Sequence, residues 1–188
     1  TPARFFDVLY GCGALARLFP EIEPLYLDRS PSGHGHGETV LPALEQSVRH
    51  STKADTRFAA LVCDIRNHEA AVFDAEHLSA LCDRLRVPNA FRELGGMALL
   101  HSHRARTAAT LDATQRLELI EALDAFRRPE RLGQFLQVCA IEAEARDQQD
   151  TSAQLGAALA ATRSVDTGSL QQQGLSGKAL GGAIREAR

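Results

Sequence analysis

The run "AALVCDIRNHE" at 59–69 carries apolar residues into a single carboxylate, Asp64, and then presents Arg66 and the pair His68-Glu69. Carboxylate and imidazole groups brought close together suit a divalent metal that activates water. The same Asp64 has a second reading: a carboxylate at the end of an apolar helix needs a partner, and Arg57 and Arg66 are the nearest cations in sequence. The other histidines are less suggestive. His34 and His36 lie two apart in a Gly-rich stretch, a spacing that fits neither one helix face nor a fixed chelate. His101 and His103 fall near the end of a helical pattern, on different sides of it, as histidines that meet a helix C-terminus do. His50 and His77 read as surface residues. Cys12, Cys63, Cys82 and Cys139 form no CxxC pair and sit on apolar helical faces. They are expected to be small buried hydrophobes in a reducing compartment.

The elements that must position these groups have a helical period. Over 54–66, Phe58, Leu61, Val62 and Ile65 make one apolar stripe, and over 74–86 Leu78, Leu81, Cys82 and Leu85 repeat it. Pro88 in "VPN" ends the second helix. Residues 129–146 start with Pro129 in a first turn and carry Leu132, Phe135, Leu136 and Cys139 on one face. Further helices are expected over 89–103 and 112–127, the latter capped by Thr110. Pro and Gly make 27–38 irregular. No stretch alternates like a strand, so the fold class is all-α.

Composition narrows the function. The 188 residues have a formal charge of −3 and no unbroken apolar run near 18 residues, so neither a general polyanion binder nor a membrane span is expected. The opening residues lack the basic start and continuous apolar core of a signal peptide, and a cytoplasmic protein is expected. Charge is divided along the chain. Over 151–188, Arg163, Lys178, Arg185 and Arg188 outnumber Asp166 and Glu186 by two, which leaves −5 on residues 1–150. Two units follow: a helical domain over 1–150 and a helical tail over 151–188, rich in Ala, Gln and Gly.

Five stretches carry a resemblance to a known family: "TPARFFDVLYGCGALARLFPEI", "RFAALVCDI", "HLSALCDRLRVPNAFREL", "LIEALDAFRRPERLGQFLQVC" and the ending "GLSGKALGGAIREAR". In this order, across essentially the whole chain, they resemble the second half of bacterial CCA-adding enzymes, the tRNA nucleotidyltransferases. The resemblance implies an HD-type phosphohydrolase domain followed by a tail that contacts tRNA. It also implies a nucleotidyltransferase head upstream of Thr1, with Mg as its cofactor. This chain contains neither a Gly-Gly-x-x-Arg-Asp motif nor an Asp-x-Asp strand, so the carboxylates of nucleotide addition are not expected within it. The implied partners are tRNA, the head domain and a possible second copy in a homodimer.

The resemblance also bears on the opening run. An HD site takes a His on one helix, a His-Asp pair on the next and a later carboxylate. Matched on "LEQ" at 44–46, the first His falls on Thr39; matched on "RFAALVCDI", the His of the pair falls on Cys63 and its Asp on Asp64. Arg66-Asn67 replace the Gly-Lys that follows the pair, and the next loop is shortened so that His68-Glu69 arrive directly. The late carboxylate falls on Glu142 or Glu144. The implied site is degenerate, with no working metal expected. The alternative is an active phosphohydrolase for 2′,3′-cyclic phosphates, using Asp64, His68 and His101 with Ni, Mn or Mg. A third reading is a helical interaction module. The tail residues implied to meet tRNA are Lys178, Arg185 and Arg188.

Overall fold

Apolar residues three and four positions apart fold into helices nearly everywhere the spacing predicts them. The computed structural model describes residues 2–27, 37–50, 53–67, 72–73 and 75–164, with positions 179, 182, 183 and 185 of the tail. The helices are α1 (Pro2–Gly11), α2 (Leu15–Leu18), α3 (Pro24–Leu27), α4 (Gly37–His50), α5 (Ala54–Val62), α6 (Ala75–Arg84), α7 (Asn89–Arg106), α8 (Ala113–Ala122), α9 (Pro129–Ala145) and α10 (Ala153–Arg163). A 3-10 turn, Ala108–Thr110, joins α7 to α8. The only extended pairing among the described residues is a two-residue antiparallel ladder, in which β1 (Arg66–Asn67) sets Arg66 opposite Phe73 of β2 (Val72–Phe73). The all-α class holds.

Several boundaries differ from expectation. The cap of α8 is Asp112, not Thr110: its side chain accepts from the Gln115 amide at 2.8 Å while the Gln115 side chain accepts from the Asp112 amide at 3.1 Å. Such a capping box satisfies two orphan donors, and Thr110 is instead used in the 3-10 turn. The stretch taken as irregular is narrower than 27–38, because Leu27 closes α3 and Gly37 and Glu38 open α4. Residues 28–36, with His34 and His36, lie outside the described residues. Cys12 is exposed rather than buried, since α1 ends at Gly11 and the turn carries the thiol outward.

Four helices end in the same way. In α1, α6, α8 and α9 the residue after the C-cap is left-handed: Gly13, Arg86, Asp124 and Asp147, with φ of 73°, 52°, 51° and 50°. After each, a 6→1 amide bond closes the end, as from Gln148 to the Ala143 carbonyl at 2.9 Å. This Schellman geometry turns the chain sharply and leaves the C-cap side chain with a fixed direction. In α9 that C-cap is Arg146.

Helix α5 is the hub. It packs on α4, α7 and α9, and its two sides feed two cores. Ala59, Ala60 and Cys63 face a cluster that includes Leu94, Phe135, Val138 and Leu155. Leu61, Val62 and Ile65 face a second cluster with Phe6, Leu15, Leu81 and Leu99. The expected stripe found only the second side, because Ala59 and Ala60 carry little hydrophobic signal although both are fully buried. Leu155 and Leu159 place α10 in the same core as α5 and α9.

The crossing of α5 and α7 is close at Gly95. A Cβ on Gly95 would lie 3.0 Å from Val62 Cγ2 and 3.1 Å from Phe58 Cε1, whereas one on Gly96 would meet nothing within 4 Å. Two adjacent glycines should therefore respond oppositely. Gly96→Ala is expected to stabilise by about 1 kcal/mol through helix propensity. Gly95→Leu is expected to destabilise by about 1–3 kcal/mol through overpacking. Chemical denaturation of the two variants checks the signs; the same sign for both would contradict this crossing.

Candidate functional site

Asp64 follows the C-cap of α5 and is 6% exposed. Burial at that level demands a partner, and the partner comes from far away: Arg146, 82 positions later, donates from Nη2 to Asp64 Oδ2. Local spacing points to Arg57 and Arg66 and does not reach Arg146. Arg146 also donates from Nη1 to the Glu142 carbonyl at 3.2 Å and lies 3.7 Å from Glu142 Oε2. Glu142 and Arg146 are one helical turn apart on α9, the i,i+4 spacing at which an acid and a base meet.

Glu142 is 1% exposed and faces a second cation. Arg106 closes α7, and its Nε lies 3.5 Å from Glu142 Oε2. Two carboxylates and two guanidinium groups thus share the interior. Neither Glu142 Oε1 nor Arg106 Nε has a hydrogen-bond partner, so the balance of charge is better satisfied than the hydrogen bonding. Burial, and then the charge of Asp64, push the Glu142 carboxyl above the usual range, while Arg146 and Arg106 pull the other way. Burial also works against the charge on Arg146, but Asp64 and Glu142 beside it hold its guanidinium protonated.

Cys63 completes the cluster. Its thiol donates to the Ala60 carbonyl at 3.2 Å. Burial, then the charges of Glu142 and Asp64, push its pKa well up, so the sulfur is a neutral thiol rather than a thiolate. A metal takes sulfur as thiolate, and this environment opposes forming one.

Thr39 belongs to α4, where its backbone is helical. Glu144 makes a separate pairing with His50 Nε2, at 2.5 Å across α4 and α9, so the carboxylate in the cluster is Glu142. His101 is half-buried on α7, and burial, then Arg104, lower its pKa. His68 and Glu69 lie outside the described residues, as do Lys178 and Arg188. Arg185 is described: half-exposed, with Nη2 3.1 Å from Glu121 Oε2 of α8. Among the described residues no three His, Cys, Asp or Glu side chains are grouped to hold a metal ion. Of the two arginines that sequence reasoning missed, Arg146 had a signal in its spacing from Glu142. Arg106, the last residue of its helix, had none.

An all-α bundle with a buried centre of two acids and two arginines is the class that fold and site define. Over its full length the chain is similar to the multifunctional CCA proteins of Thioalkalivibrio sulfidiphilus, at 39% identity, Halorhodospira halophila, at 36%, and Methylococcus capsulatus, at 35%. All of this chain is covered in each case, against 51%, 50% and 49% of the relative. The chain spans about half the length of the curated relatives it matches, and it is a counterpart of the C-terminal half of the CCA-adding enzymes. Its match to the first relative extends over 210 residues against 188 here, so that relative is longer within the shared span. No protein-family model matches the chain, and no solved structure does.

Two outcomes follow from the cluster. Asp64→Ala and Arg146→Ala are each expected to destabilise by about 1–3 kcal/mol, since each strands a buried partner. The double variant should cost clearly less than the sum of the two; additive losses would mean the pair is uncoupled. The raised carboxyl of Glu142 gives a pH signature. The folded state holds its proton more tightly than the unfolded state, so this group's contribution is full below the ordinary glutamate value. It is lost as pH rises through the higher folded value. Glu142→Gln should therefore gain stability relative to the parent as pH rises through that window, measured by urea denaturation at several pH values. A gap that does not change with pH would contradict the assignment.

Proposed function

We propose that this chain is the helical body and tail of a CCA-adding enzyme, and that it supports tRNA while its HD-type centre has been retired from hydrolysis. The observation that carries the reading is the full-length similarity to multifunctional CCA proteins. Addition of nucleotides belongs, in this reading, to a head domain with its own metal ions.

The donor set supports retirement of the centre. The residues present do not fit a divalent ion: Asp64 and Glu142 already face the Arg146 guanidinium, Arg106 adds a second fixed positive charge, and Cys63 is held as a thiol. A dication there would meet two fixed cations and one orphaned acceptor, Glu142 Oε1. The shorter span relative to the first relative agrees with a lost stretch after Arg66-Asn67, where the ladder closes on Val72–Phe73.

For tRNA, the acidic body and basic tail divide the work. Lys178, Arg185 and Arg188 would meet phosphate and ribose, which position an RNA by shape without reading its bases. The ion pair with Glu121 adds a competitor: Arg185 must leave a carboxylate before it meets a phosphate. The test is tRNA affinity measured across salt concentrations. Lys178→Ala with Arg185→Ala should weaken all tRNAs alike and lower the salt slope by about one unit for each phosphate no longer neutralised. Glu121→Gln, which frees Arg185, should strengthen binding. Unchanged affinity and slope in both variants would overturn the tail's role.

A further inference from the structure

Residues 147–152 connect α9 to α10 without regular structure, yet they hang largely on one side chain and one carbonyl. Arg106 Nη1 donates to Gln148 Oε1 at 2.8 Å. The Arg106 carbonyl accepts twice from Thr151, from its amide at 3.0 Å and from its Oγ1 at 2.8 Å. Thr151 Oγ1 in turn accepts from the Ala109 amide at 3.0 Å. At its other end α10 is held by Arg163, whose Nη2 donates to the Phe126 carbonyl at 2.9 Å. The start of α10 is therefore fixed to the end of α7, and its end to the loop between α8 and α9.

The same Arg106 faces Glu142, which shares Arg146 with Asp64 at the end of α5. We infer that Arg106 is a positioning residue, which ties the placement of α10 to the buried acid and arginine cluster. The segment after α10, which carries the basic residues, then departs from a fixed place on the body. A guanidinium suits this task, because its fork can bond Gln148 while its Nε edge faces Glu142. The cluster then has a role without a metal: it orients the helix that leads into the tail.

The positioning claim stands on this geometry; only its tRNA arm rests on the proposed function. Backbone hydrogen exchange is measured on the full chain for the parent, Arg106→Met and Gln148→Leu. Gln148→Leu removes the acceptor of the Arg106 side chain and leaves every buried charge in place, so it serves if Arg106→Met fails to fold. Both variants are expected to speed exchange in 153–163 by about tenfold or more, with the first turns of α7 unchanged. Exchange that rises evenly over all helices, or stays unchanged in α10, would overturn the inference. tRNA affinity is then measured on the same variants. Weaker binding beside a loosened α10 supports the tail's dependence on this anchor. Unchanged binding beside a loosened α10 leaves Arg106 as the positioning residue and counts against the tRNA reading.

Discussion

A carboxylate inside a helical bundle must meet a cation, and here the cation is covalently part of the chain. Asp64 and Glu142 are both buried; Arg146 pairs with both, and Arg106 faces Glu142. Removing one partner from such a pair costs more than the intact pair adds over an apolar replacement. The cluster is thus a constraint more than a source of stability. It dictates that the end of α5, the end of α9 and the end of α7 stay together.

Much of the architecture serves that constraint. The Schellman turn at Asp147 stops α9 where Arg146, as C-cap, reaches back to Asp64. The close crossing at Gly95 brings α7 against α5, and α7 ends at Arg106, beside Glu142. Alanine at 59 and 60 lets α9 approach α5 from the other side. Small residues at the crossings and charged residues at the helix ends are complementary: the first permit close packing, and the second fix which ends meet.

Legibility in the sequence followed the range of each interaction. Helix existence was readable because periodicity is local, and α6, α7 and α9 lie close to their expected spans. Helix ends were less so: Asp112 competes with Thr110 for the same cap, and only the geometry of Gln115 decides. Asp64 was recognised as needing a partner, but Arg146 is 82 residues away, and no local rule selects it over Arg57 or Arg66. That Cys63 takes the place of a His is an expectation from the resemblance alone. The environment that holds its thiol neutral was not legible, since that depends on Glu142 and Asp64 arriving from two helices.

We propose that the Arg146 guanidinium holds the place between Asp64 and Glu142 that a divalent ion would need. The most direct measurement is the anomalous diffraction of crystals soaked in manganese. No manganese peak is expected beside Asp64 or Glu142, with Arg146 still paired to both. A manganese ion bound to Asp64, with the Arg146 side chain displaced, would contradict the account.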